Sequence, residues 1–76
     1  HHAVVQEGAL ISDGAHVGGT VEIGKGVLLG IGVTVNRDLK VGSFSTVISG
    51  VSVYGDVPEK SLVKHLGNPT QIVPKK

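Results

Sequence analysis

The chain lacks cysteine, methionine and tryptophan, and it has one phenylalanine and one tyrosine among its 76 residues. Without cysteine it can form no disulfide, no catalytic thiol and no thiolate metal site. Because aromatic side chains are so scarce, a buried core must be built from small aliphatic residues. There is no run of about 18 apolar residues and no charged-then-apolar leader, so we expect a protein without a membrane span or a secretion signal.

Charge of either sign is also sparse, and it is unevenly distributed. Acidic residues outnumber basic ones up to Asp56, whereas four lysines face one glutamate from Val57 onward. A nucleic-acid-binding protein usually shows a dense basic stripe with stacking aromatic residues, and this sequence has neither. A basic tail suits a small phosphorylated ligand better, although a solvated tail explains the same charges.

What the sequence does contain is a six-residue repeat that runs from Ala3 to Asp56 without an insertion. The third position is aliphatic in all nine blocks: Val5, Ile11, Val17, Ile23, Leu29, Val35, Val41, Val47 and Val53. The first position of the following block is similarly restricted: Ala9, Ala15, Val21, Val27, Val33, Leu39, Ser45, Val51 and Val57. A helix cannot keep a period of six on one face, because its turn takes about 3.6 residues. The pattern indicates a short strand followed by a corner, which is typical of a solenoid.

Glycine is abundant where the corners of such a solenoid would fall. Five glycines end their blocks, at positions where we expect a positive φ: Gly8, Gly14, Gly26, Gly32 and Gly50. Four others directly follow the inward aliphatic residue: Gly18, Gly24, Gly30 and Gly42. The glycines around Lys25 are therefore explained by the repeat and do not indicate a phosphate-binding loop.

If three blocks form one triangular coil, residues eighteen apart stack in columns. The columns predicted in this way are Val5, Ile23 and Val41, then Ile11, Leu29 and Val47, and lastly Val17, Val35 and Val53. Nine blocks make three coils, which is close to the minimum that can bury a core. We therefore expect the chain to gain stability by association.

The repeat and the end of the chain together resemble the hexapeptide-repeat acyltransferases. The segment Asp56-Val57-Pro58-Glu59-Lys60-Ser61 and the later Gly67-Asn68-Pro69 are similar to the D-V-P-x-x-S and G-x-P-A of that family's closing segment. The resemblance implies an all-β, left-handed parallel β-helix of about three coils over residues 3–57, with a C-terminal capping tail over 58–76. Left-handedness comes from the resemblance, because the general rule for parallel crossovers predicts the opposite hand. The resemblance also implies a homotrimer.

The start of the chain is similar to one branch of this family, the sialic-acid and amino-sugar acetyltransferases. His1-His2-Ala3-Val4-Val5 resembles the linker H-P-x-A-x-V that follows their nucleotide-sugar-binding domain. Since the initiator methionine is absent as well, we expect a fragment or a processed piece of a longer protein. The two histidines are alternatively the remnant of an affinity tag.

The family's activity implies acetyl transfer from acetyl-CoA to a sugar or amino-sugar, in the cytoplasm and without a metal ion. The coenzyme would lie in the groove between subunits. On this resemblance, the residues expected to contact it are Thr46, Ser49, Gly50, Lys64, Gly67, Asn68 and Lys75. The lysines would offset the coenzyme's phosphates, and Ser49 and Gly50 would line the groove.

The expected catalytic base departs from the family pattern. In the amino-sugar branch the base lies in a coil similar to V-D-H-D, and the matching residues here are Val35, Asn36, Arg37 and Asp38. Arg37 cannot accept a proton near neutral pH, so that role is not carried over. Asn36, Arg37 and Asp38 remain the candidate catalytic-site residues at this corner, although solvated corner residues are the simpler explanation. The family's second histidine is replaced by Thr46.

His16 and His65 are candidate replacements for the missing base. His16 precedes the inward Val17, so we expect it to point outward, where a neighbouring subunit could supply an acceptor pocket. An ordinary surface histidine is the simpler explanation of each of them. A zinc site of the γ-carbonic anhydrase kind needs three converging histidines, and only these two exist outside the first pair.

Because the base is missing, a second hypothesis of another class stays open. It is a non-catalytic trimeric β-helix that serves as a scaffold or as a ligand-binding module.

Overall fold

A computed structural model describes residues 3–65 and 70–75, and this part of the chain contains β-strands and no helix. Two-residue strands alternate with tight corners up to Val53, and two longer strands follow. The strands are β1 (Val4–Val5), β2 (Leu10–Ile11), β3 (His16–Val17), β4 (Glu22–Ile23), β5 (Leu28–Leu29), β6 (Thr34–Val35), β7 (Lys40–Val41), β8 (Thr46–Val47), β9 (Ser52–Val53), β10 (Ser61–His65) and β11 (Thr70–Pro74).

The strands form three sheets, which the chain visits in turn. Sheet A has the order β1-β4-β7, sheet B the order β11-β10-β8-β5-β2, and sheet C the order β3-β6-β9. Neighbouring strands are parallel except for β10 and β11, which pair antiparallel. The molecule is therefore an all-β parallel β-helix of about three coils, as the repeat predicts.

The predicted columns are confirmed by the strand pairing. Val5 is opposite Ile23, which is opposite Val41, and the other two columns pair with the same eighteen-residue offset. In the second coil Ile23 and Leu29 are completely buried. The first-position residues of the blocks also belong to this core. Val21, Val27, Val33 and Val51 are buried in it, and Ala9, Ala15 and Leu39 pack against it.

Left-handed backbone conformations at the corners are also confirmed. The five glycines that end their blocks have φ values between 63° and 81°. The same position is occupied by Thr20, Asp38 and Phe44 in other blocks, and these residues have φ values of 60° to 62°. The corner therefore requires this conformation even where the residue is not glycine.

The six-residue spacing ends after β9. Val57 forms a parallel bridge with Val41, and Val63 pairs with Val47, so both offsets are sixteen residues rather than eighteen. Val57 therefore takes a third-position place in the column of Val5, and its assignment to a first position was wrong. The shorter corner is held by the Asp56 carboxylate, whose Oδ1 accepts a hydrogen bond from the Lys40 amide at 2.9 Å.

The segment from Asp56 to Ser61 begins a further coil on this shorter spacing. The Ser45 hydroxyl donates to the Pro58 carbonyl at 2.8 Å and accepts from the Ser61 amide at 3.1 Å. Both serines are almost completely buried. A buried polar group without a partner is costly, and the Ser45 hydroxyl satisfies both the Pro58 carbonyl and the Ser61 amide. These two hydrogen bonds explain why serine occupies a first position that is aliphatic in the other blocks. The D-V-P-x-x-S similarity thus has a structural explanation that involves no ligand.

The two ends of the helix differ. Within the described residues, β1, β2 and β3 each lie at an edge of their sheet. Val5 and Ile11 face the core but remain 46% and 42% exposed. In the described part of the chain, no helix is long and apolar enough to cross a membrane.

Among the glycines that the structure describes, Gly42 should tolerate replacement least. A Cβ atom added there would collide with the backbone nitrogen of Glu59 in the shortened corner. We expect Gly42→Ala to lower the free energy of unfolding by roughly 2 to 3 kcal/mol. Gly55→Ala is the matched control, since a Cβ atom there meets nothing within 4 Å and φ is ordinary. Chemical denaturation would measure both variants, and equal losses would contradict the assignment.

Candidate functional site

The four residues predicted as catalytic lie on sheet C and at the corner that leads from it to sheet A. His16 occupies the outward position of β3 and is exposed. It is opposite Thr34 of β6, and Asn36, Arg37 and Asp38 form the corner that follows β6. The fold therefore brings these four residues to one side of the molecule.

Asn36 has a structural role at this corner. Its side-chain Nδ2 donates a hydrogen bond to the Val53 carbonyl at 2.8 Å, and its backbone amide donates to the same oxygen at 3.1 Å. Both bonds tie the second coil to the third. The amide group of Asn36 is thus already engaged within the chain.

Arg37 and Asp38 form an exposed ion pair with each other. The Arg37 Nε lies 3.0 Å from Asp38 Oδ2, and the two side chains are 79% and 58% exposed. Pairs as exposed as this contribute about 0 to 1 kcal/mol to stability. The guanidinium keeps its four terminal N–H donors for an anionic or carbonyl oxygen, but it offers no proton acceptor.

Tyr54 is a neighbour of this corner that the sequence argument overlooked. It follows Val53, as Asn36 follows Val35, and these two valines are paired. Tyr54 is 78% exposed, although tyrosine is usually at least partly buried. The available signal was that the chain's one tyrosine occupies a position that is glycine in four of the other eight blocks.

Two of the predicted coenzyme contacts meet on the outer face of sheet B. The Lys75 ammonium donates to Thr46 Oγ1 at 2.7 Å and to the Phe44 carbonyl at 2.9 Å. The backbone amide of Lys75 donates to the Lys60 carbonyl at 2.7 Å, which continues the pairing of β10 and β11. Although 29 residues separate them, Thr46 and Lys75 are thus joined directly.

The outward side chains of sheet B form an apolar surface, which we call the B face. Successive strands place Leu10, Leu28, Thr46, Leu62 and Val73 side by side across the sheet. Leu10 and Leu28 are 65% and 39% exposed. The outward positions of the other two sheets are mostly polar: Val4, Glu22 and Lys40 on sheet A, and His16, Thr34 and Ser52 on sheet C.

Ser49 and Gly50 lie at the corner between sheets B and C, and both form hydrogen bonds with the preceding coil. The Ser49 hydroxyl accepts a hydrogen bond from the Ile31 amide at 3.1 Å. Gly50 donates its amide to the Ile31 carbonyl at 2.9 Å, and its φ of 81° explains why glycine is favoured there. These contacts account for both residues without a coenzyme.

The remaining predicted contacts are less informative. Lys64 is half-buried on β10 and is opposite Gln71 of β11, while His65 is the last residue of β10. Gly67 and Asn68 lie outside the described residues. Among residues 3–65 and 70–75, no group of three His, Asp or Glu side chains could hold a metal ion.

The predicted site residues that the structure describes therefore lie on different faces of one chain. The coenzyme-binding candidates Thr46 and Lys75 are on sheet B, whereas His16 and Arg37 are on sheet C and its far corner. No family model matches the chain, and no curated protein matches it. The likeness to hexapeptide-repeat acyltransferases thus depends on the repeat and the closing segment alone.

Asn36 and Arg37 are adjacent but should respond differently to replacement by alanine. Asn36→Ala removes the hydrogen bond to the Val53 carbonyl, and we expect a loss of about 1 kcal/mol in the free energy of unfolding. Arg37→Ala removes only an exposed ion pair, and we expect a change below about 0.5 kcal/mol. Thermal and chemical denaturation would compare the two variants. A larger loss for Arg37→Ala would show that Asn36 does not hold this corner.

Proposed function

We propose that this chain is the trimeric β-helix of an acyltransferase that uses acetyl-CoA as donor and a sugar hydroxyl or amine as acceptor. The observation that carries the proposal is the contact between Thr46 and Lys75 on the B face. Both residues are expected to bind the coenzyme on the family resemblance, and the fold brings them together from distant parts of the sequence.

Lys75 is suited to bind a phosphate group. An ammonium group has three N–H donors, and two of them are directed to Thr46 Oγ1 and the Phe44 carbonyl. These bonds hold the charged group in one place, so little side-chain entropy is lost when an anion binds. The third donor is left for a phosphate oxygen of the coenzyme.

The B face supports association into a trimer. A row of outward Leu and Val side chains is unusual on a sheet whose other face is already buried in the core. Packing this face against a second subunit would remove Leu10 and Leu28 from water, which is favourable by roughly 25 cal/mol for each Å² of apolar surface. The polar outward faces of sheets A and C offer no comparable gain.

A trimer would also bring the two half-sites together. Within one chain, the Thr46–Lys75 pair and the His16–Arg37 side lie on different sheets. A neighbouring subunit packed on the B face can place its own sheet C or corner beside Lys75. On this proposal the site is shared between subunits, with the coenzyme on one and the acceptor on the other.

The chemistry requires one proton transfer. The acceptor oxygen or nitrogen attacks the thioester carbonyl, the carbon–sulfur bond breaks, and the acceptor's proton must go to a base while the thiolate of coenzyme A leaves. Arg37 cannot take that proton but can stabilise negative charge on the carbonyl oxygen or on an acidic acceptor. We assign the base to His16, the exposed histidine on sheet C. Since the donor is an acetyl-CoA, the activity belongs in the cytoplasm.

A non-catalytic trimeric β-helix is the second candidate function. It is favoured by the structural roles of Asn36, Ser49 and Gly50, whose polar groups bond to neighbouring coils. In that case the molecule would be a scaffold or a ligand-binding module derived from an enzyme.

Isothermal titration calorimetry with acetyl-CoA and with free coenzyme A distinguishes the two candidates. We expect micromolar binding, and we expect Lys75→Gln to weaken it about tenfold or more through the loss of one charge-assisted hydrogen bond. Lys40→Gln is the matched control, because Lys40 is an exposed lysine on sheet A.

Circular dichroism would establish that both lysine variants fold. The absence of binding by the unmodified protein, or equal weakening by the two lysine variants, would contradict the proposed coenzyme site. The scaffold would then be the better account.

A further inference from the structure

We propose that Phe44 is the platform on which the adenine base of the coenzyme stacks. The corner between sheets A and B would then be the nucleotide end of the site, next to Lys75, to which the proposed function assigns a phosphate. The proposal rests on the proposed function, because it assigns one part of the same ligand to a residue that neither the repeat nor the family resemblance indicates.

Phe44 has a backbone conformation that is unfavourable for a large side chain. It is the last residue of its block, where the corner requires a left-handed residue, and its φ is 62°. Gly8 and Gly26 occupy the same place in the two preceding coils, with φ values of 79° and 63°. A bulky residue with a positive φ is an outlier, and such outliers are concentrated at functional sites. Because glycine satisfies this corner, the fold does not account for an aromatic residue there.

The Phe44 ring is positioned by the preceding coil but remains open to solvent. A Cβ atom added at Gly26 would lie 2.7 Å from Cδ1 and 2.9 Å from Cε1 of the ring, so this side of the ring packs against the glycine. The amide of Phe44 donates to the Lys25 carbonyl at 2.7 Å. The residue is nevertheless 55% exposed, although phenylalanine is among the residues most often buried. A ring held in this way can stack with a planar ligand at little cost in side-chain entropy.

The charged group of Lys75 is bound to the same residue. Its ammonium donates to the Phe44 carbonyl at 2.9 Å and to Thr46 Oγ1 at 2.7 Å. The ring and the ammonium therefore lie within the length of one residue and one hydrogen bond. In a nucleotide the base and the phosphate groups are joined through one ribose, so an aromatic ring beside a held cation matches that arrangement.

Other lysines lie along the same corner. Lys60 follows Phe44 among the left-handed residues, with a φ of 56°, and its carbonyl accepts a hydrogen bond from the Lys75 amide at 2.7 Å. The corners of these three coils carry Lys25 and Lys60 against one carboxylate, that of Glu59. A nucleotide with phosphate groups at two positions, as in coenzyme A, would thus find more than one ammonium group near the ring.

Calorimetry with acetyl-CoA tests the proposal through two variants of this residue. Phe44→Gly removes the ring and should fold, because Gly26 has nearly the same φ at the equivalent place. We expect it to weaken acetyl-CoA binding about 10- to 100-fold, which is the range of one stacking contact between a base and an aromatic side chain. Phe44→Tyr is the matched control. It retains the ring at the same strained position and should bind within about threefold of the unmodified chain.

Nuclear magnetic resonance tests the contact itself. The chain has one phenylalanine, so a sample deuterated everywhere except at phenylalanine has a single visible ring. We expect a nuclear Overhauser effect between this ring and the H2 or H8 proton of adenine when acetyl-CoA is bound. Bound acetyl-CoA without that effect would overturn the proposal.

Failure of this inference can be distinguished from failure of the proposed function. If Lys75→Gln weakens acetyl-CoA binding but Phe44→Gly does not, the coenzyme site stands and the stacking assignment is overturned. Equal weakening by Phe44→Gly and Phe44→Tyr would overturn it as well. So would the loss of the oligomer in Phe44→Gly, measured by light scattering, since Phe44 would then be a contact between subunits. If acetyl-CoA does not bind to the unmodified chain, both proposals are overturned.

Discussion

The stacking of one side chain on its equivalent in the next coil is the interaction on which the whole structure depends. Each two-residue strand turns one residue inward and one outward, so a repeat of eighteen residues determines the core and all three outer faces. The inward columns bury Ile23 and Leu29, and the outward positions give sheet B its apolar surface. The corners must lead the chain from one sheet to the next within four residues, and they do so with a left-handed residue at a fixed place, even where that residue is Thr20 or Phe44.

The first coil and the C-terminal segment of the β-helix differ in structure. At the C-terminal end the coil is shortened by two residues, and the buried Ser45 hydroxyl bonds to both Pro58 and Ser61. The chain then reverses, and Lys75 bonds back to Thr46 on the B face. In the first coil, the inward Val5 and Ile11 remain 46% and 42% exposed. The apolar B face is a surface that association can bury, and the proposed function uses it.

The repeating part of the fold could be predicted from the sequence because a given position of the block is inward, outward or at a corner in every coil, and each of these places favours its own residue types. The columns of Val5, Ile11 and Val17 and the glycine corners follow from spacing alone. The change of spacing at Val57 could not be predicted in this way, because it depends on backbone contacts between Gly42 and Glu59 and on the Asp56 hydrogen bond. The contact between Thr46 and Lys75 results from a hairpin, which no repeat specifies. The B face could have been predicted from the sequence, since Leu10 and Leu28 are eighteen residues apart and therefore stack on the same outward position. The roles of His16 and Arg37 remain predictions, since the fold does not determine what an exposed side chain binds.

The central claim is that the B face is the surface through which subunits associate, and it can be tested by multi-angle light scattering at micromolar concentration. The account predicts the mass of a trimer for the unmodified chain. Leu28→Lys should reduce that mass to a monomer by placing a charge in the contact. Val4→Lys, at an outward position of sheet A, should leave the trimer intact. A monomeric unmodified chain, or a trimer that tolerates Leu28→Lys as well as Val4→Lys, would contradict the account.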